Sequence, residues 1–351
     1  MGSGPAFSVT YWGVTGSFPA PLLPDQVTAK LVRAVEQLVT QDRLSRLIPG
    51  PGLRAAIERE IAALPLPLRS TYGGNTTCIE VESADELFVI DCGSGFRELG
   101  VALEQRWTAP GYGGRRAAHV LITHPHMDHV VATPFFSPYF DGNNRFIIWG
   151  TRTVLDSLQA VLSPESALSR TYFPPTFAMM KAIEAFREIY PGGEVQIGGT
   201  RVRTMELCHP GGCLAYRLER DGKACVFATD HEQPEVPDRE LAEFARGAEL
   251  LYTEGQYLQS EYDGKQALPG EKPLPRRGWG HSPVEACVRT AVAAGVRRLH
   301  VGHRDPLRGD DDLARLEAFC RELLLSELRE AGRDAGCCEV SIPHEGLTVR
   351  F

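Results

Sequence analysis

Apolar residues recur along the chain with two periods. Short runs that alternate or stay apolar predict strands at 7–13, 76–82, 87–91, 119–122, 145–150, 195–208, 213–230, 249–253, 297–302, 338–342 and 347–351. Helical spacing governs 25–48, where Val27, Leu31, Val35, Leu38 and Val39 recur, and returns at 53–64, 151–162, 284–294 and 313–328. Asp25 or Thr28 is the expected cap of the first helix, and Pro65 and Pro67 stop the second. Asp221-Gly222 marks a hairpin turn, and Ser83-Ala84-Asp85 a turn between neighbouring strands. Residues 259–280, rich in Gly, Pro, Lys and Arg, read as a long irregular loop. Strands and helices come round twice, which predicts an α/β chain: one domain over 1–351, two pseudo-repeated halves meeting near 200.

The strand at 119–122 runs straight into His124-Pro125-His126-Met127-Asp128-His129. In extended backbone, residues two apart point the same way, so His124 and His126 present both imidazoles to one point. Pro125 keeps His124 out of the helical region. Three imidazoles and a carboxylate so close together suit a borderline divalent ion such as zinc. Four ligands leave a two-metal site short. His209, Asp230 and His303 each follow an apolar strand directly, and seven ligands suffice for two ions if one carboxylate bridges.

Bulk properties narrow the partners. Net charge is −8 with no basic run, which argues against an extended grip on nucleic acid and for a small-molecule substrate. The start has no charged-then-apolar leader, and no stretch approaches the ~18 apolar residues of a membrane span, so the expectation is a cytoplasmic protein with no membrane partner. Nine scattered cysteines fit reduced core thiols better than a disulfide framework, with Cys337-Cys338 read as a strand position rather than a redox pair.

His-X-His-X-Asp-His after an apolar strand resembles the signature of the metallo-β-lactamase-fold hydrolases. Further segments look like that family in family order: Tyr11-Trp12-Gly13, Tyr72-Gly73-Gly74-Asn75-Thr76, Asp91-Cys92-Gly93-Ser94-Gly95, Cys208-His209-Pro210-Gly211-Gly212, Ala228-Thr229-Asp230 and Gly302-His303-Arg304-Asp305-Pro306. The resemblance implies a four-layer αββα sandwich with a metal centre at one edge. It also makes residues 20–70 a helical insertion: a lid, a dimer contact or a packed decoration. By the same resemblance His124, His126 and His209 hold one metal and Asp128, His129 and His303 a second, with Asp230 bridging.

Two such cations generate a nucleophilic water at neutral pH and neutralise charge on a phosphoryl or carbonyl oxygen. Zinc suits the nitrogen-rich set; manganese and iron fit it too. Asp128 and His281 are the catalytic candidates. His281, in Gly278-Trp279-Gly280-His281-Ser282-Pro283, is similar to an extra histidine that phosphodiesterase branches, including tRNase Z, place near the metals, where it serves as general acid or phosphate holder. Loop packing is the plainer reading of His281. Asp91 either orients a ligand histidine from behind or braces its own loop. His231 is a rival for a near-site role that points away if its backbone is extended, and His119, His300 and His344 are taken as structural. Arg304 is open as a phosphate contact, and the aromatics at 135–140 and 172–177 as pocket walls or core. The leading expectation is a phosphodiesterase acting on a small, even cyclic, phosphodiester. A lactone, thioester or amide hydrolase is the alternative, and an iron oxidoreductase of the same fold a more distant one. The set of seven disfavours the last, and a non-catalytic scaffold role is the blandest option.

Overall fold

In the strand Glu86–Ile90, Phe88 and Ile90 point to one side and Leu87 and Val89 to the other, and all four are buried. A strand apolar on both faces needs cover on both, and that requirement organises the chain. The computed structural model describes residues 5–84, 86–165 and 174–351, apart from the side chain of residue 46. The expected turn residue Asp85 and the aromatics Tyr172 and Phe173 lie outside them.

The first sheet contains β1 (Ser8–Gly13), β2 (Cys78–Ser83), β3 (Glu86–Ile90), β4 (Ala117–Leu121), β5 (Arg145–Gly150) and β6 (Ile183–Glu188) in that order, with β14 (Thr348–Arg350) outside β1. The second runs from β7 (Glu194–Ile197) through β8 (Thr200–Leu207), β9 (Cys213–Arg220), β10 (Lys223–Ala228), β11 (Leu250–Glu254) and β12 (Arg298–Gly302) to β13 (Glu339–Ser341). Each begins with antiparallel pairs and continues in parallel, from β3 to β6 in one and from β10 to β13 in the other. Phe88, Ile90, Leu121, Tyr216, Leu218 and Phe227 fill the space between the sheets.

Helices cover the outer faces. The helices α1 (Pro24–Thr40), α2 (Leu53–Ala62) and α3 (Leu66–Arg69) precede the first hairpin; α4 (Gly95–Thr108), α5 (Met127–Val130) and α6 (Arg152–Leu162) follow strands of the first sheet. In the second half come α7 (Arg239–Phe244), α8 (Gln259–Tyr262), α9 (Val284–Ala294) and α10 (Asp310–Glu330). Phe96, Leu99 and Leu103 of α4 and Leu155 and Leu158 of α6 pack on Val89, Val120 and Ile148. Val284 and Val288 of α9 and Leu313, Leu316 and Leu324 of α10 pack on Val226, Leu251 and Leu299. The result is the αββα sandwich. Each such side chain contributes roughly 1.5–3 kcal/mol by burial, so the layers are held from both sides.

Three local readings are corrected. The span 195–208 is two strands, because Gly198 takes φ +54° and the chain folds back with Ile197 opposite Thr200. Neither Asp25 nor Thr28 caps α1: Leu23 precedes the helix, its amide donates to Gln26 Oε1 at 2.8 Å, and Thr28 Oγ1 donates to Pro24 O. The periodic apolar residues of α1, Leu38 excepted, stay exposed. The nine cysteines are free. Among the described residues no helix is long and apolar enough to cross a membrane.

Candidate metal centre

The carboxyl ends of parallel strands leave unpaired loops that converge on one edge, where open α/β sheets place their chemistry. Here β3 leads into Asp91, β4 into His124, β10 into Asp230 and β12 into His303, and the antiparallel strand β8 leads into His209 at the same edge. All seven side chains singled out above meet. His126 is exposed; the other six are buried.

Asp230 is the hub. Its Oδ2 lies 3.6 Å from His124 Nε2, 3.8 Å from His209 Nε2 and 3.2 Å from His303 Nε2, and its Oδ1 3.2 Å from His129 Nε2. His209 Nε2 and His126 Nδ1 are 3.0 Å apart. On the other side, His129 Nε2 and His303 Nε2 approach to 3.3 Å, with Asp128 Oδ2 at 3.3 Å from the first and 3.1 Å from the second. The donor atoms of His124, His126 and His209 lie within 4.8 Å of one another, as do those of Asp128, His129 and His303.

Backbone and neighbours aim the ligating atoms. Asp91, at φ +63°, accepts from Thr123 N (2.8 Å) and Thr123 Oγ1 (2.9 Å), and its Oδ2 lies 2.7 Å from His129 Nδ1. Thr123 Oγ1 is 3.0 Å from His124 Nδ1, and Gly280 O is 2.8 Å from His209 Nδ1. The Ser17 amide donates to Asp128 Oδ2 at 2.8 Å. Gly93 is required by close approach: a Cβ there would stand 2.3 Å from Asp128 O.

The arrangement fits divalent cations on its own terms. His124 Nε2 and Asp230 Oδ1 are buried without a hydrogen-bond partner, although both point into the cluster. An orphaned donor or acceptor is costly, and a cation satisfies both at once. Burial lowers the pKa of His124 and takes His209 down to about 4, and partial desolvation lowers that of the more exposed His126, which favours the neutral, ligating form. Burial works against charge on Asp128 and Asp230 too, but His129 and His303 outweigh it and hold both carboxyls far below their usual range. Burial opposes a charge on His129 as well, yet Asp230, Asp128 and Asp91 raise its pKa. The cluster demands positive charge at its centre.

His281 stands at the rim. Its ring stacks on that of His303 with centroids 5.1 Å apart, and its Nδ1 lies 2.8 Å from Glu254 Oε2 and 4.0 Å from Asp230 Oδ2. Glu254 is the residue the sequence reading missed. It is the last residue of β11, as Asp91 is the first beyond β3, so its strand-end position was the available signal. Glu232 fixes the loop carrying His281 by accepting from Gly278 N (2.7 Å) and Gly280 N (2.8 Å). Two other groups are turned elsewhere. Arg304 is buried and donates to Gly73 O. His231 lies 2.7 Å from Asp238 Oδ2 through Nε2 and 3.0 Å from the Cys208 amide through Nδ1.

Comparison with known proteins agrees with this architecture. Residues 87–304 match the family model described as the beta-lactamase superfamily domain. The Ribonuclease Z of Methanopyrus kandleri is 28% identical over 277 residues, covering 77% of this chain and 89% of that protein. The Zn(2+)-bound PqqB from Methylobacterium extorquens superposes with a TM-score of 0.61 at 14% identity, over 98% of this chain and 100% of that one. Unliganded yeast PDE1 gives 0.60 at 16%, over 99% and 100%. At such identities the two structures speak for the fold alone. The family match spans most of the chain and contains the whole histidine and aspartate cluster: this protein belongs to the β-lactamase superfamily and has the metallo-β-lactamase fold.

Proposed function

We propose that the chain is a dinuclear metal-dependent phosphodiesterase acting on a small, even cyclic, phosphodiester. His124, His126 and His209 would hold one divalent ion and Asp128, His129 and His303 a second, with Asp230 reaching both. Zinc is favoured by the nitrogen-rich set, and manganese or iron would also be accommodated. Such ions, when bound, acidify a water and draw charge from a phosphoryl oxygen.

The chain's own groups supply the rest. Asp91 and Thr123 fix the rings of His129 and His124 from behind. Asp128 stays anionic, so its part is to hold and orient through Oδ2 rather than to store a proton. His281 is the observation that carries the phosphodiester reading: an imidazole held by Glu254 at the rim, beside the donor cluster. With Nδ1 on Glu254, Nε2 is left to protonate the departing alkoxide oxygen or to steady the phosphate. Relatives named Ribonuclease Z act on RNA, itself a phosphodiester, which supports the bond type. The net charge of −8 and the lack of a basic run favour a small substrate over a long polyanion.

Turnover of bis-p-nitrophenyl phosphate, measured beside a panel of lactones and thioesters, tests the reading. Phosphodiester hydrolysis is expected. Clear lactone opening with no phosphodiester turnover would overturn it.

A further inference from the structure

Helix α1 leaves most of its apolar side uncovered. Lys30, Ala34, Gln37 and Leu38 are turned to the body, half-buried or buried, while Val27, Leu31, Val35, Val39 and Val32 wind from that side of the helix round to the far one. These five are 42%, 63%, 57%, 53% and 58% exposed. The polar side does the anchoring. Lys30 pairs with Asp310 and donates to Ser70 O, while Arg33 makes a two-pronged contact with Asp311 at 2.5 and 3.1 Å. An amphipathic helix in a globular protein ordinarily buries its whole apolar stripe, whereas here Leu38 is covered and Ala34 half-covered and the rest is left in water.

The exposed area is large for a free surface. The five residues leave on the order of 500 Å² uncovered on one helix, near the upper end of what monomers expose and over half of the ~800 Å² each subunit buries in a stable dimer.

We propose that this face is a self-association surface, on which two copies of the chain pair α1 against α1 about a two-fold axis. Three observations favour a second copy over other occupants. First, Val27, Leu31, Val35 and Val39 are spaced four apart, so they form a single ridge of the kind that packs into the groove beside an identical ridge, at a crossing angle of about −50°. Second, the ridge is self-complementary. With the axis between Leu31 and Val35, an antiparallel mate sets Val27 against the partner's Val39 and Leu31 against the partner's Val35, which is the condition for a closed isologous contact. Third, the charge is wrong for an anionic lipid surface. Lys30 and Arg33 are engaged with Asp310 and Asp311, and the flank beside Val32 carries Asp25 and Glu36. The insertion at 20–70 is then the dimer contact rather than a decoration. This inference does not depend on the chemistry proposed for the metal centre.

Sedimentation equilibrium of the full chain, from about 1 to 100 μM, reads the outcome. The wild type is expected at twice the chain mass, and to remain so at 0.5 M salt because the contact is apolar. The exposed-site double variant Leu31→Glu/Val35→Glu is expected to be a monomer with an unchanged far-ultraviolet circular dichroism spectrum. Leu31→Met/Val35→Ile, which keeps the ridge apolar, is expected to remain dimeric. A wild type that is monomeric at 100 μM overturns the proposal, and so does a dimer that the double Glu variant leaves intact. A monomer that floats with phosphatidylcholine–phosphatidylglycerol vesicles would likewise overturn it and assign the face to lipid.

Discussion

Glu254 grips His281 from one side of the site while bracing the chain next to Asp230 from the other. Its Oε2 lies 2.8 Å from His281 Nδ1, and its Oε1 accepts from the amide of His231. One buried carboxylate therefore fixes both a rim imidazole and the residue after the central aspartate. If His281 gives a proton to the leaving group, its loss should hurt most where the leaving oxygen needs that proton. His281→Ala is expected to lower kcat by roughly 10²–10⁴ on an alkyl phosphodiester and clearly less on a p-nitrophenyl ester, whose anion leaves unaided. Glu254→Gln should follow the same pattern more weakly. Equal losses on both substrates would remove the proton-donor role.

Chelation should act on the fold as well as on turnover. Asp128 and Asp230 are buried anions whose charge the site must balance. Ligand binding at 100 times Kd stabilises by about 2.7 kcal/mol, which for a chain of this size corresponds to several degrees in Tm. Dialysis against a strong chelator is expected to abolish hydrolysis and lower Tm by about 5 °C, with both restored by zinc. An unchanged melting curve together with full activity would contradict this.

The histidine run was legible because its geometry is local. A strand, a proline and a helical turn aim His124 to His129 within six residues, without help from distant chain. Asp230, His209 and His303 were legible by the strand-end rule. Glu254 was not, because the apolar run at 249–253 seemed complete one residue before the carboxylate that matters. Arg304 illustrates a different limit: its motif marks a site segment, but only packing shows that the guanidinium turns inward to Gly73. The periodicity of α1 likewise marks a helix and is silent about which way its apolar side faces. That was decided by Asp310 and Asp311, some 280 residues further along the chain.

Asp310 is the anchor of the inserted helices. Besides Lys30 it accepts from Thr71 Oγ1 at 3.0 Å and Tyr72 N at 2.9 Å. Asp310→Ala is expected to cost about 1–3 kcal/mol and to open 20–70 to limited proteolysis, with the metal content unchanged. Cleavage no faster than in the wild type would show that the insertion is held by other contacts.

Acid should expose a second buried pair. Burial pushes the Asp238 carboxyl up, but the hydrogen bonds of His231 and the Leu241 amide outweigh it and hold the pKa below 3.8. A carboxyl more acidic in the folded than in the unfolded chain adds stability above its unfolded pKa, and that contribution fades as pH falls through the folded value. Asp238→Asn is therefore expected to lose about 1–2 kcal/mol at pH 7, with the difference from wild type closing below about pH 3.8. A gap independent of pH would mean that shape rather than charge holds the pair. Denaturant melts at both pH values read it.

Metal counting on the wild type and on Asp230→Asn, by mass spectrometry of protein purified without added metal, decides whether Asp230 joins two ions in one catalytic centre. Two ions per wild-type chain are expected, with phosphodiester turnover. For Asp230→Asn fewer ions are expected and a loss of turnover of at least about 10³-fold, since the group reaching both half-sites has lost its charge. A wild-type protein that hydrolyses phosphodiesters with no more than trace metal, or an Asp230→Asn variant that keeps both ions and full activity, would contradict it.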